Sequence, residues 1–362
     1  MKILFTYIFI YLFCNIYSQQ YDSLLYQLKQ IPNDTERVNQ IYKAGFEMRN
    51  TNPELAGQYA LSCQEEAKKT NNLKHIAKSY NLTGILYYKK GNLTEALQFQ
   101  KRALQLNESV HYDNGIAINQ INLGNIYSDM SNYALAETSY LNALKAYNTI
   151  GNTLQLTKCL INLGVLKFSL KQYDAAVKQF QEALVIANQL HALDVTANCN
   201  NNIGAIFMVQ GKLDSAVIYL EEGLKELELQ DNEMEMADVY NNLANVYIKQ
   251  NNIIKATDYL SRAKAICLKY DYTEARLELY HTYSLCYESQ QNYKEANYWL
   301  KKHYMLKDSL QQITESSLPV NNVETATPVI ESGKQVFKNE GILVILLVMI
   351  IGIPLFLIKF KR

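Results

Sequence analysis

The 362-residue sequence predicts an all-α solenoid of about seven 40-residue helix–turn–helix repeats, followed by one C-terminal transmembrane helix. Two observations carry the repeats. At a spacing of 40, Ala56, Ala96, Ala136, Ala176, Ala216, Ala256 and Ala296 fall in a single column. Twelve residues before each stands another small residue: Ala44, Gly84, Gly124, Gly164, Gly204, Ala244 and Ser284. A third observation carries the membrane helix. The run from Gly341 to Ile358 holds no charge and would extend about 27 Å as a helix, near the thickness of a bilayer's hydrocarbon core. The chain is 48% hydrophobic and 19% charged, with 35 basic and 35 acidic residues. That balance is globular and lacks the basic excess of a nucleic-acid binder, so no nucleic-acid partner is expected.

Taken in chain order, residues 1–18 begin with Lys2 and continue as an apolar stretch from Ile3 to Phe13, too short to span a bilayer comfortably. This reads as a secretory signal peptide with cleavage after Ser18, an uncleaved N-terminal anchor being the alternative. Residues 19–34 form a lead-in, with a short helix over residues 22–30 capped by Asp22. The repeats occupy residues 35–312. Residues 313–340 lose the pattern, gain Pro319 and Pro328, and accumulate Ser, Thr and Asn, as a linker does. Residues 341–358 are the transmembrane helix, in which Pro354 is tolerated. The short basic tail, residues 359–362 with Lys359, Lys361 and Arg362, places the C-terminus in the cytoplasm. The expected protein is thus a single-pass membrane protein, its repeats in a bacterial periplasm and its anchor in the inner membrane.

Within each repeat, an aromatic follows the small residue by three positions in Tyr87, Tyr127, Phe207, Tyr247 and Tyr287, with Glu47 and Lys167 as exceptions. A polar turn ending in an apolar residue comes next, as in Gly91-Asn92-Leu93 and Ser131-Asn132-Tyr133. Small residues belong where two antiparallel helices cross closely, and aromatics fill the remaining space, so each pair buries a stripe neither helix buries alone. The turn Asn and Gly residues are expected to supply the backbone freedom of the reversal. Asn122-Leu123-Gly124-Asn125-Ile126-Tyr127, with Tyr133, Ala136, Tyr140, Ala143 and Leu144, resembles a tetratricopeptide repeat, as does the run from Asn162 to Leu184. The resemblance covers roughly residues 35–310, and the first and last units are degenerate at Pro53 and His303, as capping repeats are. The family's usual unit is 34 residues, so the six further residues are expected to lengthen the helices. The arrangement of signal, repeats and membrane span also resembles the sensory half of bacterial histidine kinases and helix-turn-helix regulators.

No phosphate-loop, dinucleotide, zinc-protease or serine-hydrolase motif occurs, so neither an enzyme nor a cofactor is expected. The five histidines are dispersed, without a Cys or second His at ligand spacing. Cys63, Cys159, Cys199, Cys267 and Cys286 show no C-x-x-C spacing and read as small buried hydrophobes, and no metal site is expected. Sequons begin at Asn33, Asn81, Asn92 and Asn107. The resemblance implies a concave groove, lined by the first helices, that accepts a protein or peptide. Carried over by position, the column three before the small residue is Asn81, Ile121, Ile161, Asn201 and Asn241, and the column one after it includes Ile85, Asn125, Val165, Ala205 and Asn245. Four and five after it come Tyr88 and Lys89, Ser128 and Asp129, Phe168 and Ser169, Met208 and Val209, and Ile248 and Lys249. Amides suit a peptide backbone, while Phe168 and Met208 suit side chains; the competing reading is that several asparagines satisfy neighbouring backbone. The family's clamp for a terminal carboxylate needs Lys in the first of these columns, where none stands, which disfavours a chaperone-tail receptor. The expected function is a membrane-anchored scaffold for protein or peptide partners. The alternative is the sensory component of a signalling system whose kinase or DNA-binding output lies in a separate or missing polypeptide.

Overall fold

The computed structural model describes residues 24–316, with side chains to residue 310. Fifteen helices and no strands occupy them. Residues 24–29 form α1. Seven antiparallel pairs follow: α2 (Asp34–Met48) with α3 (Pro53–Lys69), α4 (Leu73–Lys89) with α5 (Leu93–Ser109), α6 (Asp113–Asp129) with α7 (Tyr133–Thr149), and α8 (Thr153–Ser169) with α9 (Tyr173–Gln189). The last three are α10 (Leu193–Val209) with α11 (Leu213–Glu228), α12 (Glu233–Lys249) with α13 (Ile253–Lys269), and α14 (Thr273–Ser289) with α15 (Tyr293–Ser316). The signal peptide, Asp22, most of the linker, the span at 341–358 and the basic tail lie outside the described residues. Among those described, no helix is long and apolar enough to cross a membrane.

The 40-residue period has a simple composition. Most helices are 17 residues long, and most of the connections between them take three residues. The length beyond the family's usual unit therefore lies in the helices. Every twentieth residue from Asn71 to Gln291 has a left-handed backbone, with φ between 49° and 75°. After α4, Gly91 N–H donates to the Tyr88 carbonyl (2.9 Å) and Asn92 N–H to the Tyr87 carbonyl (3.0 Å), closing the helix end. The next residue starts the following helix. Asn72, Asn132, Asn152, Asn252 and Asn292 each accept a first-turn backbone N–H through Oδ1 at 2.9 to 3.4 Å. Asparagine in these turns is thus chiefly a cap, and the left-handed position belongs to the residue before it.

The small column lies where each pair is tightest. A Cβ on Gly84, Gly124, Gly164 or Gly204 would press into the residue sixteen further on, which is Gln100, Tyr140, Phe180 or Leu220. The aromatic column packs on the ring twelve residues later: Tyr87 on Phe99 with centroids 5.4 Å apart, Phe207 on Tyr219 at 5.4 Å and Tyr247 on Tyr259 at 5.6 Å. Where Lys167 stands in that column, its Nζ donates to Glu137 Oε1 of the preceding pair at 2.7 Å. The first pair departs from the pattern. Its turn has no left-handed residue, α2 ends one position early, and the close approach falls on Gly45, whose added Cβ would lie 3.0 Å from Tyr59 Cβ. Ala44, which fits the spacing, is only half-buried. The five cysteines among the described residues are buried and free, and burial pushes the thiols of Cys63, Cys159 and Cys199 up to about 12.

Candidate partner-binding groove

First helices touch their counterparts in neighbouring pairs, as α2 does α4, α4 does α6, α8 does α10, α10 does α12 and α12 does α14. The second helices make no comparable contacts with one another. A row of pairs that is closer on one side curves toward that side, so the first helices line the inner surface. Two cavities open among them. One, about 470 Å³, lies between α2, α4 and α6 and is lined by Asn39, Tyr42, Lys74, Lys78, Asn114 and Asn119 among others. The second, about 350 Å³, is lined by Ile121, Gln155, Lys158, Ile161, Asn162, Asp194, Val195, Asn198 and Glu235.

Several asparagines read as groove residues are occupied inside the protein. Asn81 is buried; its Nδ2 donates to Tyr42 Oη (3.1 Å), and its Oδ1 accepts from Asn122 (2.7 Å) and Asn119 (3.3 Å). Asn201 accepts from Asn242 at 2.8 Å. Asn245 donates to the Asn241 carbonyl and to Thr282 Oγ1, both at 3.1 Å. Asn125 accepts from Tyr140 Oη at 2.7 Å. The amides therefore join one first helix to the next or to its own partner. The sequons at Asn81 and Asn107 fall on asparagines that are largely buried in the fold.

The other predicted residues are divided in the same way. Ile121 and Ile161 do face the second cavity. Ile85 and Tyr88 line a narrow crevice with Asn125, and burial together with a hydrogen bond to Asp129 raises the Tyr88 pKa. Phe168 packs on Tyr173 with centroids 5.8 Å apart, and Met208 and Ile248 pack against a core cluster. Val165, Lys89, Asp129 and Lys249 are exposed, and Ser128 is half-buried.

The cavity-lining residues absent from the sequence reading lie mostly six and nine to ten positions before the small column. Lys78, Ile118, Lys158 and Asn198 share the first register, and Asp194 and Glu235 belong to the second. They occupy the N-terminal halves of the first helices, which the positions of a 34-residue unit do not reach. The inner surface is also electrically graded. Lys74 and Lys78 stand on α4, whereas the same registers hold Asp238 on α12, where Glu235 is one position off the other register, and Glu274 and Glu278 on α14. Burial raises the Asp238 pKa, a hydrogen bond from Tyr272 Oη (3.2 Å) opposes the rise, and the three glutamates add to it. Among the described residues, no group of His, Cys, Asp and Glu is placed to hold a metal.

No curated protein matches the sequence. Solved structures do match the fold. RapI in its apo form is 14% identical, with 76% of this chain and 99% of that one covered and a TM-score of 0.62. A Rap protein complexed with Competence and Sporulation Factor is 15% identical, with 81% and 85% covered and a TM-score of 0.60. The Rap conjugation gene regulator of plasmid pLS20, in complex with the Phr* peptide, is 17% identical, with 82% and 95% covered and a TM-score of 0.54. Tetratricopeptide-repeat family profiles match residues 76–113, 115–189, 156–225 and 235–307. More than half of the sequence, folded as regular pairs with a small residue at each crossing, is accounted for, and the chain belongs to the tetratricopeptide-repeat family.

Proposed function

We propose that this protein is a scaffold that binds a protein or peptide partner along the inner surface of its repeats, without catalysing a reaction. The observation that carries this reading is the pair of cavities between successive first helices, each mixing apolar side chains with amides and isolated charges. Such a surface offers pockets for alternate side chains and hydrogen bonds for an extended backbone. The likeness to solved Rap structures, two of which hold a bound factor or peptide, supports the same reading. We further propose that residues 341–358 hold the scaffold at a membrane with the repeats outside the cytoplasm. The uncharged run and the basic residues after it support that arrangement.

The test is affinity selection of random peptides by the full-length chain and by a variant carrying Gln155→Ala, Lys158→Ala and Asn198→Ala, with matched circular dichroism. These side chains line the second cavity and carry none of the helix-to-helix amide bonds described above. Peptides retained by the wild type and lost from the variant support the groove. Equal retention by both moves binding elsewhere and refutes this assignment.

A further inference from the structure

Three residues that break the repeat meet at the cavity between α2, α4 and α6: Asn107 and Asn119 line it, and Gln100 bonds to Asn119 behind it. Gln100 stands in a second-helix column otherwise filled by Ala60, Tyr140, Phe180, Leu220 and Leu260. Asn107 stands where Ala67, Tyr147, Ala187, Leu227 and Cys267 are buried, and Asn119 where the later repeats bury Cys159, Cys199, Val239 and Leu279. All three are buried and bonded to one another. A core that only had to pack would keep these columns apolar, because a buried amide must find partners.

The orientation of each amide follows from one fixed point. The Asn81 carbonyl can only accept, and Gln100 Nε2 donates to it at 3.0 Å. Gln100 Oε1 is therefore the acceptor for Asn119 Nδ2 (2.7 Å), and Asn119 Oδ1 the acceptor for Asn107 Nδ2 (2.7 Å). This leaves Asn107 Oδ1, on a residue only 4% exposed, as an acceptor without a partner at the cavity wall. Room for the Asn107 amide is kept by Gly115, where a Cβ would lie 2.5 Å from Asn107 Nδ2 and 2.6 Å from Tyr112 Cδ1. Whatever completes the network must donate a hydrogen bond.

Beside this acceptor stand two cations one helical turn apart. Lys78 Nζ donates to Asn39 Oδ1 (2.7 Å) and lies 4.6 Å from the Tyr42 ring; Lys74 Nζ lies 4.8 Å from the Tyr112 ring. Neither makes a salt bridge among the described residues, and no carboxylate lines the cavity. Burial disfavours the Lys78 ammonium and outweighs the opposing influence of Cys63 and Glu36. Of the matching positions on the later first helices, Lys158 is the other cation, whereas Asp194, Asp238, Glu274 and Glu278 are acidic, so α4 is where two cations stand together and an anion finds its favourable place.

We propose that this cavity is the anchoring subsite of the groove and takes a carboxylate adjoining an N–H group, the carboxylate at Lys74 and Lys78 and the N–H on Asn107 Oδ1. The proposal rests on the peptide-binding reading above. A peptide's C-terminal residue offers that pairing, and so does an internal Asp or Glu with a neighbouring backbone amide. The site uses positions six and ten before the small column together with a second-helix asparagine, a register separate from the family's carboxylate clamp.

Four hexapeptide pools, randomised outside the tested group, distinguish the sources on the full-length chain. Two lack Asp and Glu and end in a free acid or an amide; two are capped at both ends and carry an internal Glu or Gln. At least one acid pool should be retained about ten-fold over its neutral counterpart, the scale of a hydrogen bond to a charged group, and the pool that wins names the source. The preference should disappear in Lys74→Glu, an exposed substitution, and in Lys78→Gln, each checked by thermal unfolding. Equal retention of acid and neutral pools, or a preference that survives both substitutions, overturns the subsite while leaving the groove reading intact. Failure of every pool and of fully random peptides overturns both.

Discussion

Replacing Gly124 by Ala sets two known effects against each other in the middle of α6. Helix propensity alone favours Ala over Gly by about 1 kcal/mol. Packing opposes it: the new Cβ would lie 2.6 and 2.9 Å from Tyr140 Cδ1 and Cζ, and closer still to Cε1. The ring would have to withdraw by roughly 1 Å to restore ordinary contact, yet Tyr140 is buried against Ala136, Leu163 and Leu166. Overpacking of this kind costs about 1–3 kcal/mol. The same withdrawal strains the 2.7 Å bond from Tyr140 Oη to Asn125, worth about 1 kcal/mol. A net destabilisation of about 1–3 kcal/mol is expected, concentrated in α6 and α7 because repeat arrays open locally. Amide hydrogen exchange on the full-length chain resolves it. The double variant Gly124→Ala, Tyr140→Leu should recover part of the loss, since the sixth pair already buries Ala244 and Leu260 in one cluster. If Gly124→Ala slows exchange in α6 and α7 instead, propensity has won, and the small column does not mark a packing limit.

Other substitutions address charge and topology. Arg37→Ala removes the 2.8 Å partner of the buried Glu66 and leaves it Lys69 alone; a loss of about 3 kcal/mol is expected in chemical denaturation of α2 and α3. Burial alone would raise the Glu66 pKa, but Lys69 and Arg37 together hold it below the usual value. That contribution should therefore be present above the ordinary Glu range and lost as pH falls through the lowered value, and Glu66→Gln should abolish it. Asp238 has the opposite sign, because its pKa is raised. Its contribution is present below the ordinary Asp range and lost as pH rises through the raised value, so Asp238→Asn should stabilise α12 and α14 at neutral pH and flatten the local pH dependence of hydrogen exchange. A reporter enzyme active only outside the cytoplasm should work when fused after Asp308 and fail after Arg362; the reverse pattern would refute the proposed topology.

Much of this architecture was legible because a repeat states its own rules many times. The period of 40 reports paired 17-residue helices with three-residue connections, and the small and aromatic columns mark real crossings. Where the reading erred, a local event broke the register without breaking the spacing. Ala44 satisfies the column, but the first turn lacks a left-handed residue, α2 ends early, and Gly45 takes the crossing. The groove was half legible for a related reason. Positions taken from a shorter unit find Ile121 and Ile161, yet they also collect Asn81 and Asn245, which hold the helices together, and they stop short of Lys78 and Lys158. The floor of the first cavity obeys a different logic. Columns describe what every pair needs in order to pack, so a site belonging to one place in the solenoid is written in the residues that depart from them. Gln100, Asn107 and Asn119 are polar exceptions in otherwise largely apolar registers, and only the folded chain shows that they meet. In a solenoid of near-identical units, buried exceptions that share a network are therefore a sharper guide to specificity than the repeating surface, because packing alone gives no reason for them to coincide.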